Sequence, residues 1–144
     1  MTTDELQCFC AAQDNVRYYL RTPWTRDGYT WATNGHILVR VPALTDVSEN
    51  RFAPSTLKLW NDVPEPKEWF PVPACAMPEL VPCNWCDGTG KDPYDKSSIC
   101  VDGARFARRF LALIQGWEIS PTSKKGAAWI RYGEALGLLM PFRE

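Results

Sequence analysis

Histidine is nearly absent: there is one in 144 residues. That excludes any site needing two or more histidines, including the HExxH metalloprotease helix. Long apolar runs are missing as well. Residues 110–114 and 136–142 are the longest, far short of the roughly 20 that a membrane span needs. No excess of charge exists: 16 Lys+Arg face 17 Asp+Glu, for a net charge of −1. This argues against a protein that coats nucleic acid by bulk charge, while leaving room for local basic faces. The first residues, Met1-Thr2-Thr3-Asp4-Glu5, have neither a basic region nor an apolar core. No signal peptide is expected from them, and a cytoplasmic protein is. Catalytic signatures are lacking too. Residues 87–91 (DGTGK) have neither the spacing of a phosphate loop nor the Ser/Thr after Lys, and no G-x-S-x-G elbow occurs. The chain is expected not to be an enzyme.

Large rings, prolines and cysteines are what the sequence does have. Apolar residues make up 45% of it, enough for a core, and the length fits a single domain over 1–144. Seven Trp and twelve Pro point to a stiff chain packed with aromatic rings. Residues 16–42 read as a β-meander. Residues 16–22 (VRYYLRT) are rich in strand formers, Asp27-Gly28 is a turn pair, and 29–33 (YTWAT) form a second strand. Asn34-Gly35 is the favoured pair for a two-residue hairpin turn, and 36–41 (HILVRV) form a third strand. Residues 4–13 are ambiguous. Residues 54–60 (PSTLKLW) predict a short helix with Pro in its first turn.

Residues 64–100 differ in character. Prolines fall at 64, 66, 71, 73, 78, 82 and 93, and Pro suits neither helix interiors nor central strands. The stretch reads as an irregular Pro/Cys-rich insertion held by something other than a hydrophobic core. A helix is predicted over 104–115 (ARFARRFLALIQ), ended by Gly116. Phe106, Phe110, Leu113 and Ile114 form its apolar stripe, with Arg105, Arg108 and Arg109 on or beside the other face. Strands are predicted at 127–132 (AAWIRY) and 135–142 (ALGLLMPF), joined by a tight turn at Gly133-Glu134.

Cys83-Asn84-Trp85-Cys86-Asp87-Gly88-Thr89-Gly90 is the sharpest motif. Two cysteines separated by two residues can put both sulfurs on one metal. The glycines that follow let the backbone fold back toward the thiolates. A structural Zn²⁺ takes four ligands, and Cys75 and Cys100 flank the pair as candidates for the other two. A four-Cys site leaves no open position for a water, so the zinc would be structural. A turn of free thiols and a Cys75–Cys100 disulfide are the alternatives. Cys8 and Cys10 read as small core residues, or one of them as a ligand of a second site. The motif CxxCxGxG resembles the knuckle of the DnaJ-type chaperone zinc domain, where knuckles come in pairs; one intact CxxC stands here.

Three further segments together resemble a domain of the bacterial sliding clamp, the β subunit of DNA polymerase III. Residues 31–38 (WATNGHIL) resemble the clamp's A-T-D-G-H-R-L-A hairpin, with Asn34 in place of the usual Asp. Residues 102–111 (DGARFARRFL) are similar to its final helix. Residues 138–143 (LLMPFR) resemble its M-P-M-R-L terminus. The order of the segments agrees, and the insertion has no counterpart in the clamp. The combination looks like short phage and prophage proteins that join a clamp-like domain to a DnaJ-like knuckle. The resemblance implies an α+β, processivity-clamp-like domain: antiparallel β-meanders with two helices on one face. A single-domain chain would need a homohexamer to close such a ring. Met140, Pro141, Phe142 and Arg143 carry over as half of the clamp's partner-peptide groove.

The functional expectation is a non-catalytic accessory protein of DNA replication or recombination, encoded by a phage. Lys58, Arg105, Arg108 and Arg109 would meet phosphates. Its alternative is a protein-interaction module that docks on host replication or defence proteins without DNA. For each set there is also a plain structural reading: a solvated helix face for the arginines, a core edge strand for 138–142, a turn residue for His36. Zinc has its own test. Elemental analysis of the purified protein is expected to find about one Zn per chain, lost in Cys83→Ser/Cys86→Ser. Metal-free wild-type protein would reject the site.

Overall fold

The computed structural model describes residues 1–10, 22–47, 56–75 and 98–142. Three short helices are α1 (Thr3–Gln7), α2 (Thr56–Asp62) and α3 (Arg108–Leu113). The strands are β1 (Trp24–Arg26), β2 (Tyr29–Thr33), β3 (Ile37–Pro42), β4 (Phe70–Pro71) and β5 (Ser98–Val101). They continue as β6 (Ala104–Ala107), β7 (Glu118–Pro121), β8 (Ala128–Tyr132) and β9 (Ala135–Leu139). Seven of them make one sheet in the order β1-β2-β3-β9-β8-β7-β4, and β5-β6 form a separate ribbon. Every pairing is antiparallel. The architecture is therefore mostly antiparallel sheet with a few short helices, as an α+β reading expects.

Two meanders, β1-β2-β3 and β7-β8-β9, meet where β3 pairs β9, Ile37 opposite Leu139 and Arg40 opposite Leu136. Alternation along the strands sorts side chains to two faces. One face carries Ala32, Ile37, Val39, Val41, Ile119, Ala128, Ile130 and Leu139. It packs against Leu6 of α1, Phe106 of β6, and Phe110, Leu111 and Ile114 in and just after α3. The other face is aromatic. Trp24 stacks on Trp31 at 5.6 Å. Trp60 of α2 stands edge-on to Trp31 at 5.2 Å and to Trp129 at 4.9 Å. The Trp129 indole N–H donates to the Pro64 carbonyl at 2.6 Å. Arg40 lies over the rings of Tyr29 and Trp60, at 4.0 and 4.5 Å from their centroids. Such aromatic and cation–π contacts add about 0.5–1.5 kcal/mol each beyond burial. This uses Trp24, Trp31, Trp60 and Trp129, the rings that the composition expected in the core.

The β-meander expectation holds for β2 and β3, and the expected strands near 127–132 and 135–142 are β8 and a shorter β9. Residues 16–21 lie outside the described residues; the strand that precedes Asp27-Gly28 is β1, which the sequence reading missed. Four other expectations need correction. The Asn34-Gly35 turn is not a two-residue hairpin: Thr33 pairs with Leu38, leaving a four-residue loop. Asn34 serves through its side chain, whose Oδ1 accepts from the backbone N–H of His36 and Ile37 at 2.9 and 3.0 Å. Only Gly35 there has positive φ.

Residues 104–107, expected as the first turn of a helix, are a strand. Asp102 (φ 48°) and Gly103 (φ 82°) make a two-residue hairpin turn of the left-handed type, matching Asp27 (φ 54°) and Gly28 (φ 82°). Helix α3 begins only at Arg108, so Phe106 reaches the core from a strand. The ends of the 64–100 insertion are tied to the fold: β4 pairs with β7, and Val72 is buried. Finally, α2 and α3, the two helices expected on one face, lie on opposite faces; α1 shares the α3 face.

Gly137 sits inside the β3-β9-β8 junction. A Cβ there would run into the Leu38 carbonyl oxygen and lie 3.0 Å from Ile130 Cγ1. Gly137→Ala is expected to lower the unfolding free energy by about 2 kcal/mol, as overpacking does. Urea denaturation checks this, and an unchanged midpoint would contradict the close approach.

Candidate functional site

The sequence-predicted arginines lie on one strand–helix segment, not on one helix. Arg105 is exposed on β6, opposite Cys100, and its Nε donates to Ser98 Oγ at 3.0 Å. Arg108 and Arg109 follow in the first turn of α3, half-buried, each with a buried Nε that has no hydrogen-bond partner. Arg109 lies over the Phe110 ring at 4.7 Å, and His36 stacks on the same ring at 5.1 Å. Phe110 thus contacts both an Arg and the loop His. His36 is a turn residue, as read, and it also borders the arginines. That contact was not legible, because it joins residues far apart in the chain and has no sequence spacing.

Lys58, the fourth predicted phosphate contact, is exposed on α2, on the aromatic face across the sheet. It does not join the arginines. Among the described residues, the ion pairs are Arg26–Asp27 and Arg131–Glu118. None of Arg105, Arg108 and Arg109 is matched to a carboxylate there.

The C-terminal segment runs directly beside this cluster. Met140 N–H donates to the His36 carbonyl at 2.9 Å, and Phe142 N–H to the Arg105 carbonyl at 2.8 Å. Met140 packs with Trp129 and Leu138 on the aromatic face, while Phe142 packs with the core of the other. The segment is a joint between the large sheet and the β5-β6 ribbon. Its backbone donors at Met140 and Phe142 are used within the fold, and the side chains of 140–142 stay half-exposed. Arg143 lies outside the described residues.

The cysteines divide likewise. Cys83 and Cys86 lie outside the described residues. Cys75 and Cys100 are free thiols, so the disulfide alternative is not present. Cys75 is half-buried; its Sγ accepts from Gln115 Nε2 at 3.5 Å, and burial pushes its thiol above the ordinary value. Cys100 is exposed on the β5 strand. Among the described residues, no three His, Cys, Asp or Glu side chains converge to hold a metal. A zinc site would therefore depend on the knuckle itself.

The chain matches no family model, no curated protein and no solved structure. Its chemistry must be read from its own residues.

Cys8 is exposed, not a core residue, whereas Cys10 is half-buried against the core. Burial raises the Cys10 thiol from 9.0 to about 11; a backbone hydrogen bond at Thr33 opposes this and Cys8 adds to it. A thiol raised by folding stabilises fully below the unfolded value, and that contribution is lost as pH climbs toward the folded one. Stability is thus expected to fall between pH 9 and about 11, less so in Cys10→Ala. At pH 8, iodoacetamide followed by mass mapping is expected to modify Cys8 well before Cys10; equal rates would contradict this placement.

Proposed function

We infer that this chain is a non-catalytic, DNA-associated accessory protein, with the arginine cluster as its phosphate-contacting surface. The observation that carries the reading is the cluster itself: Arg105, Arg108 and Arg109 lie on one continuous strand–helix segment, unmatched by carboxylates among the described residues. Guanidinium groups on such a segment fit phosphate oxygens, which position a protein on nucleic acid without reading its sequence.

The resemblance to the sliding clamp supports the same class. Two of its segments, the 31–38 hairpin and the 138–142 terminus, are hydrogen-bonded neighbours through the β3–β9 pairing. The third segment touches them through the Phe142–Arg105 bond and the His36–Phe110 stack. A clamp-like domain of a phage, serving DNA replication or recombination in the cytoplasm and carrying a structural zinc knuckle, is the specific form proposed. The alternative is a protein-interaction module that docks on or inhibits host replication or defence proteins through the insertion or the C-terminal edge.

Fluorescence anisotropy with a labelled DNA duplex tests the reading. Wild-type protein is expected to bind in a salt-sensitive way. Arg105→Gln should weaken binding several-fold, and the Arg105→Glu/Arg108→Glu/Arg109→Glu variant should abolish it. Unchanged affinity in a triple variant that keeps its far-ultraviolet circular dichroism would reject it.

A further inference from the structure

The strand registers give the sheet two chemically different ends. At one end lie the 27–28 turn, the start of β7 and the 133–134 turn. These carry Asp27, Glu118 and Glu134, and Asp46 follows the end of β3 nearby, where Thr3 Oγ1 donates to it at 2.7 Å. Both ion pairs, Arg26–Asp27 and Arg131–Glu118, sit at this end. At the other end lie the 34–37 loop, the 140–142 segment and the β7–β8 loop, residues 122–127. That loop is Thr122-Ser123-Lys124-Lys125-Gly126-Ala127, with both lysines exposed and neither in an ion pair among the described residues.

This loop is shaped. Thr122 Oγ1 donates to the Ala127 carbonyl at 2.7 Å, closing its base. Gly126 lies so close that a Cβ would be 2.6 Å from Ser123 Oγ. It also reaches the arginine segment: Lys124 Cε is 3.8 Å from where a Cβ on Gly103 would stand, at the tip of the hairpin that carries Arg105. Asp102 is the carboxylate beside that tip. It faces outward without a pair among the described residues, so it trims the positive field and does not cancel it.

We propose that the 122–127 loop is a second phosphate-contacting element, and that a DNA duplex lies across the basic end of the sheet from Arg109 and Arg105 to Lys124 and Lys125. This rests on the DNA-associated reading and deepens it. The overall charge of −1 is no obstacle, because the field a duplex meets is local, and Asp27, Asp46, Glu118 and Glu134 lie at the opposite end. Duplex phosphates then meet positive charge from two structurally independent elements, α3 with β6 and the β7–β8 loop.

The experiment measures duplex affinity by anisotropy across a salt series for wild type, Lys124→Ala/Lys125→Ala and Lys67→Ala. Lys67 is exposed on the aromatic face, where its backbone N–H bonds Ser120 Oγ at 3.0 Å. The double variant is expected to bind more weakly and to lose about 2 from the slope of log K against log salt, roughly 0.9 per phosphate contact. Lys67→Ala is expected to match wild type. Wild type and arginine variants behaving as proposed, with the double variant unchanged, would overturn the loop alone. Equal losses in the double variant and Lys67→Ala would mean bulk charge and overturn it as well. No binding by wild type would overturn the DNA-associated reading and the loop with it.

Discussion

The pairing of β3 with β9 is the constraint on which the rest of the structure depends. It joins strands about a hundred residues apart, Ile37–Arg40 with Leu136–Leu139. Closing so long a loop costs chain entropy that local hairpins do not. The return is that neither face of the sheet exists without it. Val39 and Leu139 complete the aliphatic side, and Leu38 and Leu138 the aromatic side. Gly137 is what allows the two strands to approach, because any side chain there would meet the Leu38 carbonyl. The missing Cβ also leaves space that Ile130 fills from β8, so one glycine sets the fit among three strands.

The two faces then divide the work of burial. The aliphatic face takes α1, α3 and the β5-β6 ribbon. Among the described residues, the aromatic face takes α2 and the 63–69 segment, and its rings do more per residue. Trp60 bridges Trp31 and Trp129, which belong to different meanders. It therefore reinforces across the aromatic face the same junction that β3 and β9 make along the backbone. Arg40 inserts among Tyr29, Trp31 and Trp60, so a cation supplies part of this packing and stays half-exposed. Among the described residues few clad this side of the sheet, and large rings suit that role.

How much of this was legible follows the range of each interaction. β2, β3, β8 and β9 were readable because alternation and turn pairs are local signals, and Gly133-Glu134 is a two-residue turn as read. The 104–107 strand was misread because ARFARRF suits a helix by apolar spacing alone. What decides it is the Asp102-Gly103 turn and the partner strand 98–101, which lies in a stretch that proline content had marked as irregular. β7 was missed for a related reason: only four residues pair, and Pro121 ends them. Of the candidate site, Arg105, Arg108 and Arg109 were legible from sequence as a basic cluster. Lys58 was not separable from them, because which face of a sheet a helix covers is a tertiary fact. The lysines at 124 and 125 carry no motif at all; they matter only because a hairpin tip from elsewhere in the chain comes to rest beside them.

Charge sorting follows from topology. In an antiparallel meander, alternate connections fall at alternate ends of the sheet. A sequence that puts acids in the 27–28 and 133–134 connections and bases in the 122–127 connection therefore separates charge along the strand direction with no net imbalance. The C-terminal joint extends the basic end. By carrying β9 past His36 and onto Arg105, it fixes the β5-β6 ribbon and α3 at that end rather than the other. Lys124 of the lysine loop comes to rest beside Gly103, at the tip of the hairpin that carries Arg105. A balanced composition is thus compatible with a local difference in charge between the turns at the two ends of the sheet. Net charge describes the chain, whereas the field a partner meets is set by which turn each charge occupies.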